Sequence, residues 1–302
     1  MLTIKVGRHT ITITHPDKIL FPDNGLSKLD LIEYYHSIAP LMVPYMRDRA
    51  LSMVRYTDDI YHESFFQKDA PDYFPAWIKR VALPKAGGTV EYVICQNVAT
   101  LVYLANQNCI TPHIALSKAD DRYTYPDRMI FDLDPSDNNF TLVRTMAMRF
   151  KNLLDSIQLQ SFIMTTGSRG VHIIVPLDRQ ANFDETRMFA QELGQVLIAQ
   201  DPDHLTMETR KEARGTKLFI DTLRNAYAQT GVAPYAVRAK AGAPVATPLW
   251  WHELNNPELT AQAYTIRTVK QHVEKLGDPW HKMRRLRQSV SKARALLERV
   301  TR

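Results

Sequence analysis

The apolar run "RMIFDLD" ends on two aspartates, Asp132 and Asp134, with Pro135 directly behind them. Side chains alternate across an extended strand, so residues i and i+2 share a face and lie about 7 Å apart along the backbone. Two carboxylates so placed can converge on one or two divalent cations, whose charge offsets their mutual repulsion. The bland reading is a solvated loop mouth, since a DxD pattern arises by chance about once in a chain of this length. Calcium binding of the EF-hand type requires Gly at loop position six and Glu at twelve. Counted from Asp132, those positions hold Asp137 and Val143, which excludes it and leaves Asp137 outside the site. A haloacid-dehalogenase-type phosphatase also sets DxD after an apolar strand. It has Gly-Thr or Gly-Val behind the second Asp, where this chain has Pro135 and Ser136, and no later paired-acid motif is present. Two-metal nucleotidyl transfer needs a further carboxylate from a distant strand. Asp221, at the end of "TKLFID", is the candidate, although a turn Asp at a strand end is the commoner meaning of such a residue.

Between these acids lies "TTGSRGVHIIVPL". Its turn, Gly167-Ser168-Arg169-Gly170, offers backbone N–H groups, a hydroxyl and a guanidinium to a phosphate. His172 falls just inside the returning strand, on one face with Ile174, so a satisfied core histidine competes with a phosphate donor there.

The elements that would carry these residues are set by periodicity. "TITIT", "LSMVRY", "EYVIC", "RMIFDLD", "KLFID" and "PYAVR" read as strands, and "SFIMTTGSRGVHIIVPL" as a β-hairpin. Leu142, Val143, Met146, Phe150, Leu153, Leu154 and Ile157 recur at helical spacing. Further helices are predicted at 184–199, in "SKLDLIEYYHSIA" behind a Ser27/Asp30 capping box, and in "NVATLVYLANQ" capped by Asn97. Pro135 has no N–H for the ladder and is expected to end its strand just after the acids. Strands and helices interleave without strict βαβ alternation, which predicts an α+β core with antiparallel sheets.

The 302 residues are 45% hydrophobic, enough for a sizeable core, and no repeat or linker divides them, so one compact unit is expected. No apolar run reaches the roughly 18 residues of a membrane span, and "MLTIKVGRHT" is no secretory signal, which points to the cytoplasm, with nucleoid association, and to no membrane partner. Cys95 and Cys109 lack zinc-ligand spacing. The net charge of +6 is moderate, but basic residues crowd "HKMRRLRQSVSKARALLERVTR", read as a basic helical segment over about 281–302 that favours a polyanionic partner. Basic helices are more often solvated faces.

The order "FDLDPS", "TTGSRGVHIIVPL", "KLFIDTLRNAYAQTGVAPYAVRAKAGAPVATPLWW", with "HPDKILFPDNGLSKLDLIEYY" and "ESFFQKDAP" ahead of it, resembles the polymerase/primase module of bacterial end-joining ligase D, in the archaeo-eukaryotic primase superfamily. The resemblance spans about residues 5 to 290. It implies two sheets with flanking helices and the active site in the cleft between them, the whole of 1–302 forming one domain. It implies a two-metal nucleotidyltransferase, manganese or magnesium held by Asp132, Asp134 and Asp221, with Asp221 nearest the attacking hydroxyl. Thr166, Ser168, Arg169, His172 and Arg238 would meet the nucleoside triphosphate. Lys18 and Lys28 match lysines that hold the 5′-phosphate of a downstream strand, Phe65 and Phe66 match stacking aromatics, and Arg214 sits in a loop that organises paired ends. Arg55 and Arg224 are further candidates for DNA or nucleotide contacts. The implied substrates are gaps and overhangs at double-strand breaks, filled with a preference for ribonucleotides, and the implied partners are a Ku-type end-binding protein and a separate DNA ligase. Thr166 stands where relatives often have serine, and the zinc motif of many replicative primases is missing. No ligase or nuclease motif accompanies the module, so a stand-alone polymerase is expected. A catalytically degenerate nucleic-acid-binding relative and, behind it, a DxD phosphohydrolase are the alternatives.

Overall fold

The strand Arg128–Pro135 is the axis of a six-stranded sheet in the computed structural model, which describes residues 2–137 and 139–301. The order across the sheet is Leu205–Thr206, Leu218–Asp221, Arg128–Pro135, Val171–Pro176, Phe162–Thr165 and Pro248–Leu249. Leu205–Thr206 runs parallel to its neighbour and the other pairings are antiparallel. This mixed helix-and-sheet architecture agrees with the α+β reading.

Alternation decides which face of Arg128–Pro135 is core. Met129, Phe131 and Leu133 are at most 1% exposed, and Phe131 meets Phe150 of helix Phe140–Ser156 with ring centres 4.3 Å apart. That helix buries Val143, Met146, Ala147, Phe150, Leu153 and Leu154, a stripe of the expected period. Pro135 is the last residue of the strand and sits opposite Leu218. Residues 116–231, 247–263 and 278–301 form this compact unit, which includes helix Phe183–Gln200.

A second unit comprises residues 2–115, 232–246 and 264–277. Strands Cys109–Ala115, Leu51–Tyr56 and Ser64–Gln67 pair antiparallel in that order, beside the hairpins Leu2–Val6/His9–Ile13 and Arg80–Lys85/Gly88–Val93. Helix Lys28–Met46 opens on the predicted capping box, Ser27 and Asp30 each capping the other's backbone. It then runs through Pro40 and Pro44. Its continuation buries Met42, Val43, Tyr45 and Met46 to 3% exposure or less, and that burial outweighs the few kcal/mol that interior prolines cost. Helix Val98–Asn106 is capped by Asn97, whose side chain accepts from the Thr100 N–H at 2.9 Å.

Three expectations need correction. "PYAVR" is no strand: Pro234 has no N–H to give, Tyr235 takes the left-handed φ of 65°, and one bridge, Val237 to Val245, is left. "EYVIC" belongs to a strand that begins at Gly88 and ends at Val93, so Cys95 lies beyond it. The C-terminal segment is not helical from residue 281. It starts as the short turn Met283–Arg285, and the helix is Val290–Val300, because the Gln288 carbonyl accepts from the Asp178 N–H at 2.9 Å and Ser289 then caps the helix. Arg302 lies outside the described residues.

Candidate active site

Strand register assembles the acids. Asp132 pairs with Asp221 on one neighbouring strand and with His172 on the other, so an acid, an acid and an imidazole stand abreast. Asp134 lies two residues along the same strand, opposite Phe219. His172 Nε2 is 3.3 Å from Asp132 Oδ2, with its side chain 4% exposed. Its Nδ1 is buried without a hydrogen-bond partner among the described residues.

Cationic side chains meet every acid. Arg169 donates to Asp134 Oδ2. Arg224 places Nη2 3.5 Å from Asp132 Oδ2 and Nε 3.8 Å from Asp221 Oδ2. Burial nevertheless raises Asp134 above the ordinary carboxylate range, and the Asp132 charge adds to it, against the pull of Arg169 and Arg214. Burial also raises Asp221, while the Leu223 N–H, donated to its Oδ1 at 2.7 Å, works the other way and Asp132 raises it further. Burial thus makes the ionised form of these acids costly, and a cation bound among them would offset that cost. Hard oxygen donors in that state suit a divalent cation such as magnesium or manganese. Among the described residues, no three His, Cys, Asp or Glu side chains already converge as a metal cage.

Gly167-Ser168-Arg169-Gly170 is the turn of the hairpin Phe162–Thr165/Val171–Pro176. Gly167 supplies the left-handed φ of 63°. Gly170 is required for another reason: a Cβ there would lie 1.8 Å from the Leu133 carbonyl oxygen, so the turn lies directly against the acid strand. The Thr166 hydroxyl is spent inside the turn, accepting from the N–H groups of Ser168 at 3.2 Å and Gly170 at 3.3 Å. Ser168 and Arg169 are half-exposed at the tip, with the Ser168 carbonyl accepting from Gln262 Nε2 at 2.8 Å. Arg214 is turned inward. Its guanidinium covers the Phe219 ring at 3.6 Å and donates to the carbonyls of Glu208 and Thr209 at 2.8 and 2.7 Å.

The other expected residues belong to the second unit. The Lys28 N–H donates to the Lys18 carbonyl at 2.7 Å, which sets the two lysines side by side. Lys18 Nζ bonds the Thr57 carbonyl and Asp58, each at 2.9 Å. Lys28 is only 3% exposed, is the first residue of its helix, and donates from Nζ to Thr14 Oγ1 at 2.9 Å. Burial, then Lys18 and Arg55, lower its pKa to about 8.

Phe65 and Phe66 point to opposite faces of strand Ser64–Gln67 and both reach solvent, at 41% and 65% exposure. Arg55, opposite Phe65 on the next strand, holds its guanidinium 5.5 Å from that ring and donates to Gln67 Oε1 and to the Tyr73 hydroxyl. Arg238 is half-buried in this unit, its N–H bonded to the Pro244 carbonyl at 2.8 Å.

Sequence reasoning missed two supports. Asn225, fully buried, bonds both the N–H and the carbonyl of Ile130, at 2.8 and 2.7 Å, and so pins the short turn Leu223–Asn225 that presents Arg224. Its only sequence signal was its place in "TLRN" behind Asp221. Gln262 gave no signal, lying 94 residues from its partner.

A family model described as LigD, primase-polymerase domain, matches residues 27–280. The "Bifunctional non-homologous end joining protein LigD" of Bacillus subtilis is 32% identical over 272 residues, which cover 89% of this chain and 43% of that protein. The "Multifunctional non-homologous end joining protein LigD" of Mycolicibacterium smegmatis is 31% identical over 251 residues, 82% of this chain and 33% of that protein. The chain thus spans less than half the length of these relatives. Among solved structures, the polymerase domain of Mycobacterium tuberculosis Ligase D in complex with DNA superposes with a TM-score of 0.86 at 27% identity, covering 92% of this chain and 99% of that one.

Proposed function

Because the chain belongs to the LigD primase-polymerase domain family, we propose that it is a template-directed nucleotidyltransferase that fills gaps and overhangs at DNA double-strand breaks during end joining. The observation that carries this reading is the register that sets Asp132 beside Asp221 and His172, with a phosphate-type turn against the same strand.

Asp132, Asp134 and Asp221 would hold two divalent ions, manganese or magnesium. Such ions lower the pKa of a primer 3′-hydroxyl and neutralise a triphosphate and its leaving pyrophosphate. The protein's own part is positioning. The turn N–H groups, Ser168 and Arg169 grip the triphosphate, and His172 steadies Asp132 from the adjacent strand. No side-chain nucleophile takes part. Arg238 supplements the nucleotide contacts. Lys18 and Lys28 bind the 5′-phosphate at the far side of a gap, and Phe65 and Phe66 stack on unpaired bases. Ribonucleotides are the preferred substrates. A Ku-type end-binding protein delivers the ends, and a DNA ligase seals the filled product.

The test is extension of gapped DNA with and without a 5′-phosphate, with manganese, comparing ribo- and deoxyribonucleotides. Template-dependent extension that is enhanced by the phosphate is the expected result. A second reading, a nucleic-acid-binding relative without catalysis, draws on the pairing of all three acids with arginines. It predicts DNA binding with no extension at any metal concentration.

A further inference from the structure

The net charge of the chain sits in one place. Residues 281–302 hold eight of the 38 basic and one of the 32 acidic residues, so the other 280 residues carry 30 basic against 31 acidic and the +6 belongs to this segment. It also lies beyond residue 280, where the family match ends.

Within it, Lys282, Arg284, Arg285, Arg287 and Lys292 are all exposed. None forms an ion pair among the described residues, whereas Arg294, two residues further on, pairs with Glu192 at 2.8 Å. A merely solvated surface carries charges of both signs that pair along it; this stretch carries one sign, with no ion pair among the described residues.

The cations are mounted firmly. Trp280, 1% exposed, donates from Nε1 to the Ile163 carbonyl at 3.0 Å, and Met283 and Val290 are buried. The Gln288 amide donates to the carbonyls of Gln160 and Pro176 at 2.9 and 3.1 Å and accepts from the Gln160 N–H at 2.7 Å. These anchors are on the strands Phe162–Thr165 and Val171–Pro176 or just outside them, at the end away from the Gly167–Gly170 turn. Pro176 lies six residues on from Gly170 along the strand, roughly 20 Å at about 3.3 Å each.

We infer that Lys282, Arg284, Arg285, Arg287 and Lys292 form a second contact with the phosphate backbone of duplex DNA, about 20 Å along the hairpin from the nucleotide turn. The inference rests on the reading that the chain acts on DNA. Charge complementarity selects the partner: duplex DNA presents one charge about every 1.7 Å, and a run of exposed cations without ion pairs among the described residues releases its condensed counterions. The contact carries no sequence information, so it adds affinity and orientation without narrowing the substrate.

The experiment measures affinity for a gapped duplex over a range of salt, comparing the wild type with a variant in which all five cations are glutamine. Removing a cation that neutralises one phosphate should flatten the slope of log affinity against log salt by about 0.9, up to about 4.5 for five. Nucleotide KM and manganese affinity should stay as in the wild type. Lys282→Arg with Lys292→Arg, which keeps the charge, should retain the slope. A five-fold variant with the wild-type slope overturns the inference, whatever else that surface then binds. A wild type that binds no DNA at any salt overturns the functional reading itself, and this inference with it.

Discussion

In the unit that carries the acids, half-buried reactive side chains spend their charge on one another; in the unit that carries the lysines, Lys18 pairs with Asp58, the buried Lys28 leans on a neutral hydroxyl, and the aromatics reach solvent. Asp132 meets His172 and Arg224, and Asp134 meets Arg169, all across neighbouring strands or the turns that join them. Lys28 has a threonine hydroxyl, and Phe65 and Phe66 stand open on a strand. The difference fits the two tasks of the proposed function. In-line displacement tolerates little positional error, so its groups are fixed by a sheet. Recognition of a phosphate or a base needs accessible groups that gain their partner on binding.

Breaking the first region should have the largest effect. Asp132→Ala and Asp134→Ala are each expected to lower extension by on the order of 10³-fold, since metal-borne charge stabilisation is worth several kcal/mol and each 1.36 kcal/mol is tenfold. Affinity for a 5′-phosphorylated end should be unchanged, because Lys18 and Lys28 belong to the other unit. Single-turnover extension and DNA-binding titrations separate the two effects, and equal losses in both would erase the distinction between the regions.

The second region should respond to pH where the first does not. Lys28 has a depressed pKa of about 8, so above that value the free protein holds a neutral amine and a bound phosphate must restore its proton. Affinity then falls as pH rises through about 8, by up to tenfold per unit, while the ligand's own second ionisation, near pH 6, is already complete. Between about pH 7 and 8 the lysine is mostly charged and the phosphate fully ionised, so the affinity changes little there. A 5′-hydroxyl end is the control and should show no such slope. Lys28→Arg keeps the charge to much higher pH and should remove the dependence.

Gly170→Ala tests whether the turn is fixed to the acid strand. A Cβ placed 1.8 Å from the Leu133 oxygen must displace backbone, at about 1–3 kcal/mol or more. We expect a lower melting temperature and a raised nucleotide KM. Gly215→Ala, where a Cβ would meet nothing within 4 Å but φ is left-handed at 58°, measures backbone strain without a clash and so separates the two costs of replacing a glycine.

The two regions also differed in how far they could be read in advance. Asp132, Asp134, Gly167 and the Ser27/Asp30 box were legible because their signals are short-range: a period of two, a left-handed turn, a three-residue cap. Asp221 could be named only because "KLFID" ends on it, and its place beside Asp132 depends on a register between segments 89 residues apart. "PYAVR" failed for the converse reason. Its apolar run is real, but Pro234 and the left-handed Tyr235 deny it a ladder. The spent hydroxyl of Thr166 and the inward guanidinium of Arg214 were hidden as well, since a residue type states what a side chain can bond and not which partner reaches it first.

The smallest expected effect concerns Arg224, through which the acid-bearing region neutralises itself. Its guanidinium lies 3.5 and 3.8 Å from Asp132 and Asp221, where a divalent ion would need the same oxygens. The side chain is 38% exposed and the contacts are loose, so the pair is worth only about 0.2–1 kcal/mol. Arg224→Gln should therefore tighten manganese binding to the nucleotide-free protein by a few-fold, read by calorimetry or by the spin resonance of free manganese. The Lys18/Lys28 region should keep its phosphate affinity. Weaker manganese binding in the variant would mean that Arg224 arranges the acids for the ion and does not compete with it.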